Sequence, residues 1–263
     1  MNAPPADPTG AEIIERLAEI GFDYIELSLR DLISLSESEL TLLAGRLERS
    51  GIRCEACNNF FPRQIRLTGE AADFAEALNY ASRALGRAAR LGARVVVFGS
   101  SASRNVPYGF PMDKAWRQLV DLLGNLGPMA KTHGITITIE PLNKLESNII
   151  NLASEGLRLA REVDHPNVHL LLDFYHLMME REAPEIILQA GPFIHHVHLA
   201  KLEGRRFPTE TDDELCRLFS YLERIRYSRR CSIEAYTSSF EADARRSLRI
   251  LKEMAERPRA WLE

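Results

Sequence analysis

Apolar residues recur along this chain in two alternating patterns, short runs with every-second-residue spacing and longer runs with helical spacing. The first pattern predicts seven β-strands, and the second predicts an amphipathic helix between one strand and the next. The predicted strands cover residues 23–29, 52–58, 93–99, 135–140, 168–173, 193–199 and 230–236. A helical example is the stretch NLASEGLRLAREV, in which Leu152, Leu159 and Val163 fall on one face. Such strand–helix alternation predicts an α/β fold with parallel strands and right-handed connections.

Two parallel architectures fit this alternation, an open doubly wound sheet and a closed (β/α)8 TIM barrel. An open dinucleotide-binding sheet would show a G-x-G-x-x-G turn after an early strand, and the sequence has none. We therefore predict a TIM barrel that forms a single domain over residues 1–263. The predicted first helix starts near Thr9, and the preceding MNAPPADP contains three prolines, which disfavour a central strand. The first strand of the barrel is expected to be missing or irregular.

Composition and charge exclude several classes of protein. The formal net charge of -4 disfavours a nucleic-acid surface, which usually carries a basic stripe. No apolar run approaches the roughly 18 residues that a membrane span needs. The first residues lack the pattern of a signal peptide, so a cytoplasmic protein is expected. Cys54 and Cys57 lie three apart on a predicted strand, so we expect their side chains on opposite faces and unable to share a metal ion.

Four consecutive predicted strands end in side chains that can bind a metal ion or transfer a proton. These residues are Glu140, Asp173, His198 and Glu234. In a TIM barrel the C-terminal ends of the strands form the active-site face. Alternation places Glu140 inside with Thr138, Glu234 inside with Ser232, and His198 on the same face as His196. Three carboxylates and one imidazole suit a divalent ion such as Mn²⁺, Mg²⁺ or Co²⁺.

The motifs around these strand ends are similar to those of a known enzyme family. The stretch IEPLNKLESN contains Glu140, LLLDFYH contains Asp173, HHVHLA contains His198, and SIEAY contains Glu234. In this order they resemble the xylose-isomerase-like TIM-barrel family of sugar isomerases and epimerases. Within that family the motifs are most similar to those of tagatose/psicose 3-epimerases and hydroxypyruvate isomerases. The resemblance extends from Gly21 to the last predicted helix.

The resemblance implies a metal-dependent sugar isomerase or epimerase that moves a proton next to a carbonyl through a cis-enediolate. The four strand-end residues would hold one divalent ion, with Mn²⁺ as first choice and Mg²⁺ or Co²⁺ as alternatives. Glu140 and Glu234 would also act as acid and base. Glu146, His176 and Arg205 match positions that contact the substrate in the family, with Arg206 as a competitor for the last. The expected partners are a small sugar or sugar-like substrate and further copies of the chain, or a partner subunit.

Two departures from the family pattern lie where the substrate is held. Lys201 occupies a position that is often acidic, and Pro208-Thr209-Glu210-Thr211 replaces a glycine-rich P-G-x-G turn. One alternative is a metal-dependent lyase, such as a dehydratase or a C-glycoside-cleaving enzyme subunit, in which the enolate expels a leaving group. A second is a non-catalytic subunit whose barrel a partner completes. A DNA endonuclease on the same barrel would need more histidines and a basic face.

Overall fold

The computed structural model of the protein describes residues 7–256 and contains one parallel β-sheet. Its strands neighbour one another in chain order, and all of their pairings are parallel. The strands are β1 Tyr24–Ser28, β2 Arg53–Asn58, β3 Val95–Phe98, β4 Thr136–Ile139, β5 Val168–Asp173, β6 Ile194–Leu199 and β7 Arg230–Ile233. Each lies within one of the seven stretches that alternation predicts, so the predicted strands are confirmed. The sheet curls into a nearly closed barrel surrounded by helices, which is the predicted TIM-barrel fold.

One α-helix precedes β1, and helices follow every strand and cover the outside of the barrel. They are α1 Ile14–Ile20, α2 Leu29–Leu32, α3 Glu37–Ser50, α4 Phe74–Leu91, α5 Ser101–Arg104, α6 Met112–Thr132, α7 Ala153–Val163, α8 Phe174–Met179, α9 Ile186–Ala190, α10 Asp213–Arg224 and α11 Phe240–Glu256. Ser36 and Glu39 form the reciprocal capping box at the start of α3 that their spacing predicts. In the described part of the chain, no helix combines the length and apolar character needed to cross a membrane.

The barrel closes through side chains where its two edge strands meet. Among residues 7–256, β1 and β7 stand at the two ends of the strand order. The Tyr24 hydroxyl lies 2.7 Å from the Ser232 hydroxyl, and Ser232 donates a 2.6 Å hydrogen bond to Glu26. The Arg230 guanidinium donates two hydrogen bonds to Glu55 on β2. The sequence predicts the missing or irregular strand in MNAPPADP, and residues 1–6 of this stretch lie outside the described residues.

The outward faces of the strands form the main apolar core with the helices. On β4 and just before it, Ile135, Ile137 and Ile139 are fully buried in this core, as alternation predicts. Gly156 of α7 brings that helix close to the barrel. A β-carbon at this position would lie 2.6 Å from the Leu170 side chain and 2.8 Å from the Pro141 ring. The close approach of α7 to the barrel therefore depends on the absence of a side chain there.

The predicted geometry of the two cysteines on β2 is wrong. Ile25 of β1 pairs with Cys54, and Glu26 pairs with Ala56, so Glu55 is an extra residue that forms a bulge. The bulge interrupts the alternation of side chains, and the sulfur atoms of Cys54 and Cys57 lie only 3.8 Å apart. Both thiols are fully buried, which fits ordinary core packing.

The packing of α7 can be tested with two Gly→Ala substitutions in exposed and buried helix positions. Gly156→Ala is expected to lower the free energy of unfolding by about 1–3 kcal/mol, because the new methyl group overpacks the contact with Leu170. Gly124→Ala in α6 is the matched control, since nothing lies within 4 Å of its added β-carbon. That variant is expected to gain up to about 1 kcal/mol from helix propensity. Equal urea midpoints for the two variants would contradict this account of the packing.

Candidate metal centre

Four side chains meet at the C-terminal mouth of the barrel. Glu140 directly follows β4, Asp173 ends β5, His198 lies near the end of β6, and Glu234 directly follows β7. Their ligand atoms all lie within 4.8 Å of one another, and all four side chains are largely buried. The structure therefore brings together the four strand-end residues that were predicted from the sequence. We call these residues the four-residue cluster.

The imidazole of His198 stands at the centre of the four-residue cluster. Its Nδ1 atom lies 3.0 Å from Glu140 Oε1, 3.4 Å from Glu234 Oε2 and 3.9 Å from Asp173 Oδ2. One nitrogen and three carboxylates thus converge on a small volume. This donor set matches the preferences of a hard or borderline divalent cation.

Burial and mutual repulsion perturb the carboxyl groups of the cluster. Burial, followed by the charge of Glu140, raises the pKa of Asp173 to about 7. Burial also raises the pKa of Glu140. The pKa of Glu234 is held well below its usual range because His198 and Arg205 outweigh the effect of burial. For His198, burial is outweighed by Glu26 and Glu234, and its pKa is raised.

The raised pKa values indicate that the four-residue cluster needs additional positive charge, which a bound cation would supply. Three carboxylates cannot all ionise in a buried cluster without positive charge nearby, and the raised pKa values of Asp173 and His198 favour the protonated forms of both groups. A divalent ion held by the four-residue cluster would replace those protons as the source of positive charge. The residues present therefore fit a metal ion, and the ion would be held by Glu140, Asp173, His198 and Glu234.

A buried arginine and a glycine position the Glu140 side chain. Arg104 is fully buried and donates 2.8 Å hydrogen bonds to the carbonyl oxygens of Phe98 and Glu140. This fixes the chain just after β3 and β4. Gly99 leaves the space that the carboxylate fills, since a β-carbon at residue 99 would lie 1.8 Å from Glu140 Oε2.

The three residues expected to contact the substrate, Glu146, His176 and Arg205, lie beside the cluster. Arg205 donates to Glu234 and, at 3.4 Å, to Asp173, while its other terminal nitrogen lies 3.5 Å from Glu146. Its guanidinium also lies over the ring of Tyr175. Arg206, the competing candidate, pairs with the exposed Glu203 and is itself 62% exposed. Arg205 is therefore the arginine that reaches the cluster.

His176 is buried beside the cluster in a defined protonation state. Its Nδ1 atom accepts a 3.1 Å hydrogen bond from the backbone N–H of Asn143, so the ring proton lies on Nε2. That Nε2 atom is buried, has no hydrogen-bond partner in the described structure, and lies 3.6 Å from Asp173 Oδ2. Burial, followed by the charge of Arg205, lowers the His176 pKa to about 3, so the ring is neutral.

The chain matches the family model described as xylose isomerase-like TIM barrel over residues 14–254. The chain belongs to this family. It is similar to the D-psicose 3-epimerase of Agrobacterium fabrum, with 28% identity over 198 residues that make up 74% of this chain and 68% of that protein. It is also similar to the L-ribulose 3-epimerase of Mesorhizobium japonicum, with 25% identity over 221 residues, 84% of this chain and 73% of that protein.

A solved structure shows the same fold. A crystal structure of D-psicose 3-epimerase in the presence of D-fructose superposes with a TM-score of 0.84 and covers 93% of each chain. Its sequence identity to this chain is 22%, so this likeness concerns the fold. The resemblance inferred from the four strand-end motifs is thus confirmed at the level of the family.

Several residues that contact the site are not among the candidates predicted from the sequence. Glu26 on β1 reaches His198 from below at 3.1 Å, and Asn58 at the end of β2 lies 3.4 Å from Glu234. Asn143 of the IEPLNKLESN motif, which residue spacing does not single out, positions His176 through its backbone N–H. A signal for Glu26 was available, because in DYIELSL it alternates with the buried Ile25 and Leu27 and must face inward.

The two departures from the family pattern lie together outside the cluster. Lys201 forms an ion pair with Asp212 and lies 4.0 Å from Glu210 in the turn that replaces the glycine-rich one. The lysine thus has acidic partners within its own loop. Neither of these ion pairs involves a residue of the four-residue cluster.

The space occupied by Glu140 can be tested by filling it. Gly99→Ala is expected to displace the Glu140 carboxylate, because the added methyl group overlaps its position. Loss of one well-placed ligand should weaken Mn²⁺ binding by at least about tenfold, as measured by isothermal titration calorimetry. Gly124→Ala serves again as the control and should bind Mn²⁺ like the parent. Parental affinity in Gly99→Ala would contradict the placement of Glu140 as a ligand.

Metal binding is expected to release protons. Asp173 and His198 have raised pKa values in the metal-free chain, so they hold protons at pH 6 that a ligand must lose. The apparent affinity for Mn²⁺ should therefore weaken as the pH falls from 8 to 6, by about tenfold per pH unit for each displaced proton once the pH lies below the pKa of the group that holds it. Calorimetry in two buffers of different ionisation enthalpy counts these protons. An affinity independent of pH across this range would exclude the protonated cluster.

Proposed function

We propose that this chain is a divalent-metal-dependent ketose 3-epimerase or a closely related sugar isomerase. The observation that carries the proposal is the placement of two glutamates, Glu140 and Glu234, whose carboxylate oxygens both lie within 3.4 Å of His198 Nδ1 in the four-residue cluster. Membership of the xylose isomerase-like family and similarity to proteins named as psicose and ribulose 3-epimerases support it. The substrate class is a small sugar that carries a ketone next to a hydroxyl-bearing carbon.

The proposed reaction needs a base, an acid and stabilisation of negative charge. A bound divalent ion, with Mn²⁺ as first choice and Mg²⁺ or Co²⁺ as alternatives, supplies Lewis-acid stabilisation of the charge that develops on the substrate oxygens. One of the two glutamates removes the proton from the carbon next to the carbonyl. The other returns a proton to the opposite face of that carbon, which inverts its configuration. Return to the neighbouring carbon would instead interconvert an aldose and a ketose.

The three residues beside the cluster, His176, Arg205 and Glu146, have complementary roles in this proposal. The neutral His176 presents its Nε2–H, which has no partner in the described structure, as a donor to a substrate oxygen. Arg205 donates to Glu234, and this contact keeps the carboxylate ionised and oriented. Glu146 accepts hydrogen bonds from Arg205 and Asn143 and can accept another from a sugar hydroxyl.

Proton NMR in D₂O tests the proposed function. The Mg²⁺-loaded protein would be incubated with a panel of ketohexoses, ketopentoses and inososes. We expect deuterium to enter at the carbon next to the carbonyl of at least one of them, together with a new sugar epimer. Loss of water or of a leaving group in place of the epimer would contradict the proposal and favour a lyase. Bound metal without exchange on any of these sugars would also contradict it.

Glu140→Gln and Glu234→Gln test the two-glutamate mechanism on the sugar that exchanges. Each substitution keeps an oxygen that can bind a metal ion and removes the group that accepts the proton. Each variant should lose at least about 100-fold in kcat, the usual contribution of a general acid or base. Glu162→Gln on the exposed face of α7 is the control and should retain parental activity. The metal content of each variant must also be measured, because both glutamates are proposed metal ligands. Full activity in either site variant would exclude that glutamate as acid or base.

A further inference from the structure

A buried hydrogen-bond network lies beneath the four-residue cluster, on the side away from the barrel mouth. Its centre is Glu26 on β1, whose side chain is only 9% exposed. One carboxylate oxygen lies 3.1 Å from His198 Nε2, and the other lies 3.0 Å from His196 Nε2 and 2.6 Å from the Ser232 hydroxyl. Ser232 in turn lies 2.7 Å from the Tyr24 hydroxyl. We call these residues the Glu26 network.

The direction of each hydrogen bond in the network follows from the chemistry of its members. A carboxylate only accepts, so the Ser232 hydroxyl donates to Glu26, and the Tyr24 hydroxyl must donate to Ser232. The Nδ1 atom of His196 is buried without a partner in the described structure, so its ring proton lies on Nε2 and points at Glu26. The Ser232 hydroxyl and the His196 Nε2–H group thus both point at the Glu26 carboxylate.

The same argument fixes the orientation of His198. Its Nε2 atom faces Glu26, and its Nδ1 atom faces Glu140 and Glu234. If Nε2 keeps the proton that Glu26 accepts, a neutral His198 presents the Nδ1 lone pair to the cluster. Metal-binding histidines generally donate their second N–H to a carboxylate or carbonyl in this manner.

We propose that Glu26 is a positioning residue that holds the Nε2 proton of His198 and thereby presents Nδ1 to the metal ion. This inference rests on the proposed function, because it treats the four-residue cluster as a metal centre. Glu26 itself does not contact the ion. The Ser232 hydroxyl on β7 holds the Glu26 carboxylate from across the junction between β1 and β7, and the Tyr24 hydroxyl donates to Ser232 in turn.

A second metal ion bound by Glu26, His196 and His198 is the competing explanation, since their ligand atoms are also close enough together. That arrangement would require His198 to lose both ring protons when the first site is filled. It would also displace three hydrogen bonds of 2.6–3.1 Å that already satisfy Glu26. Hydrogen bonding therefore accounts for this group better than ligation does.

The ring nitrogen that binds the ion can be observed directly in the unmodified chain. Long-range proton–nitrogen NMR spectra of the Zn²⁺-loaded, ¹⁵N-histidine-labelled protein report which nitrogen of each ring carries the proton. We expect the proton of His198 on Nε2, and a proton on Nδ1 would overturn the inference. Because this measurement needs no substitution at Glu26, a variant that fails to fold does not affect it.

Glu26→Gln tests the contribution of the carboxylate to metal binding. The glutamine side chain has only one accepting oxygen. Its NH2 group would face an N–H or O–H donor that the second carboxylate oxygen of Glu26 now accepts. The Kd for Co²⁺, followed by its visible absorption, should increase by about 10- to 100-fold. Glu55→Gln is the matched control, because Glu55 also bonds a β7 residue, Arg230, but does not contact His198. This control should change the Kd by less than about threefold, within the effect of a surface pair.

Three results would overturn the role of Glu26. These are a parental Kd in Glu26→Gln, an equal loss in Glu55→Gln, and two Co²⁺ ions per parental chain that fall to one in Glu26→Gln. The last result would make Glu26 a ligand. All of these measurements are made without substrate. A chain that binds Co²⁺ as expected but exchanges no sugar proton would contradict the proposed function and leave the role of Glu26 supported.

Discussion

Crowding of like charge in a buried space is the constraint on which this site depends. Three carboxylates and one imidazole share a volume in which all ligand atoms lie within 4.8 Å of one another. Such a cluster is costly to bury unless positive charge and hydrogen bonds compensate it. Arg205 compensates it from the rim, Arg104 fixes the backbone of Glu140, and the Glu26 network supports His198 from below. A divalent cation would complete this balance.

The barrel explains why these groups meet and why much of the site follows from the sequence. Parallel strands all end at one face, and alternation selects the side chains that point inward, so four strand-end residues can be placed from the chain alone. The pairing of Glu26 with His198 is not predictable in this way. It depends on how closely β1 approaches β7, a distance set by packing across the whole barrel.

Other features could not be predicted from the sequence because they depend on local irregularities of the backbone or on contacts made only in the folded chain. The bulge at Glu55 puts two cysteines on one face, contrary to regular alternation. Arg104 lies in a short helix beyond β3, where no periodic pattern indicates burial, yet it is fully buried. Gly99 resembles any glycine at the end of a strand until the position of Glu140 is known. In each case three-dimensional contact supplies the information that spacing lacks.

The central claim is that the four strand-end residues form one metal centre. X-ray diffraction from crystals of the Mn²⁺-loaded protein, collected with anomalous scattering at the manganese edge, tests this claim directly. The account predicts one strong anomalous peak within coordination distance of Glu140, Asp173, Glu234 and the Nδ1 atom of His198. A fully loaded crystal with its manganese elsewhere, or a peak on the Nε2 side of His198, would contradict it.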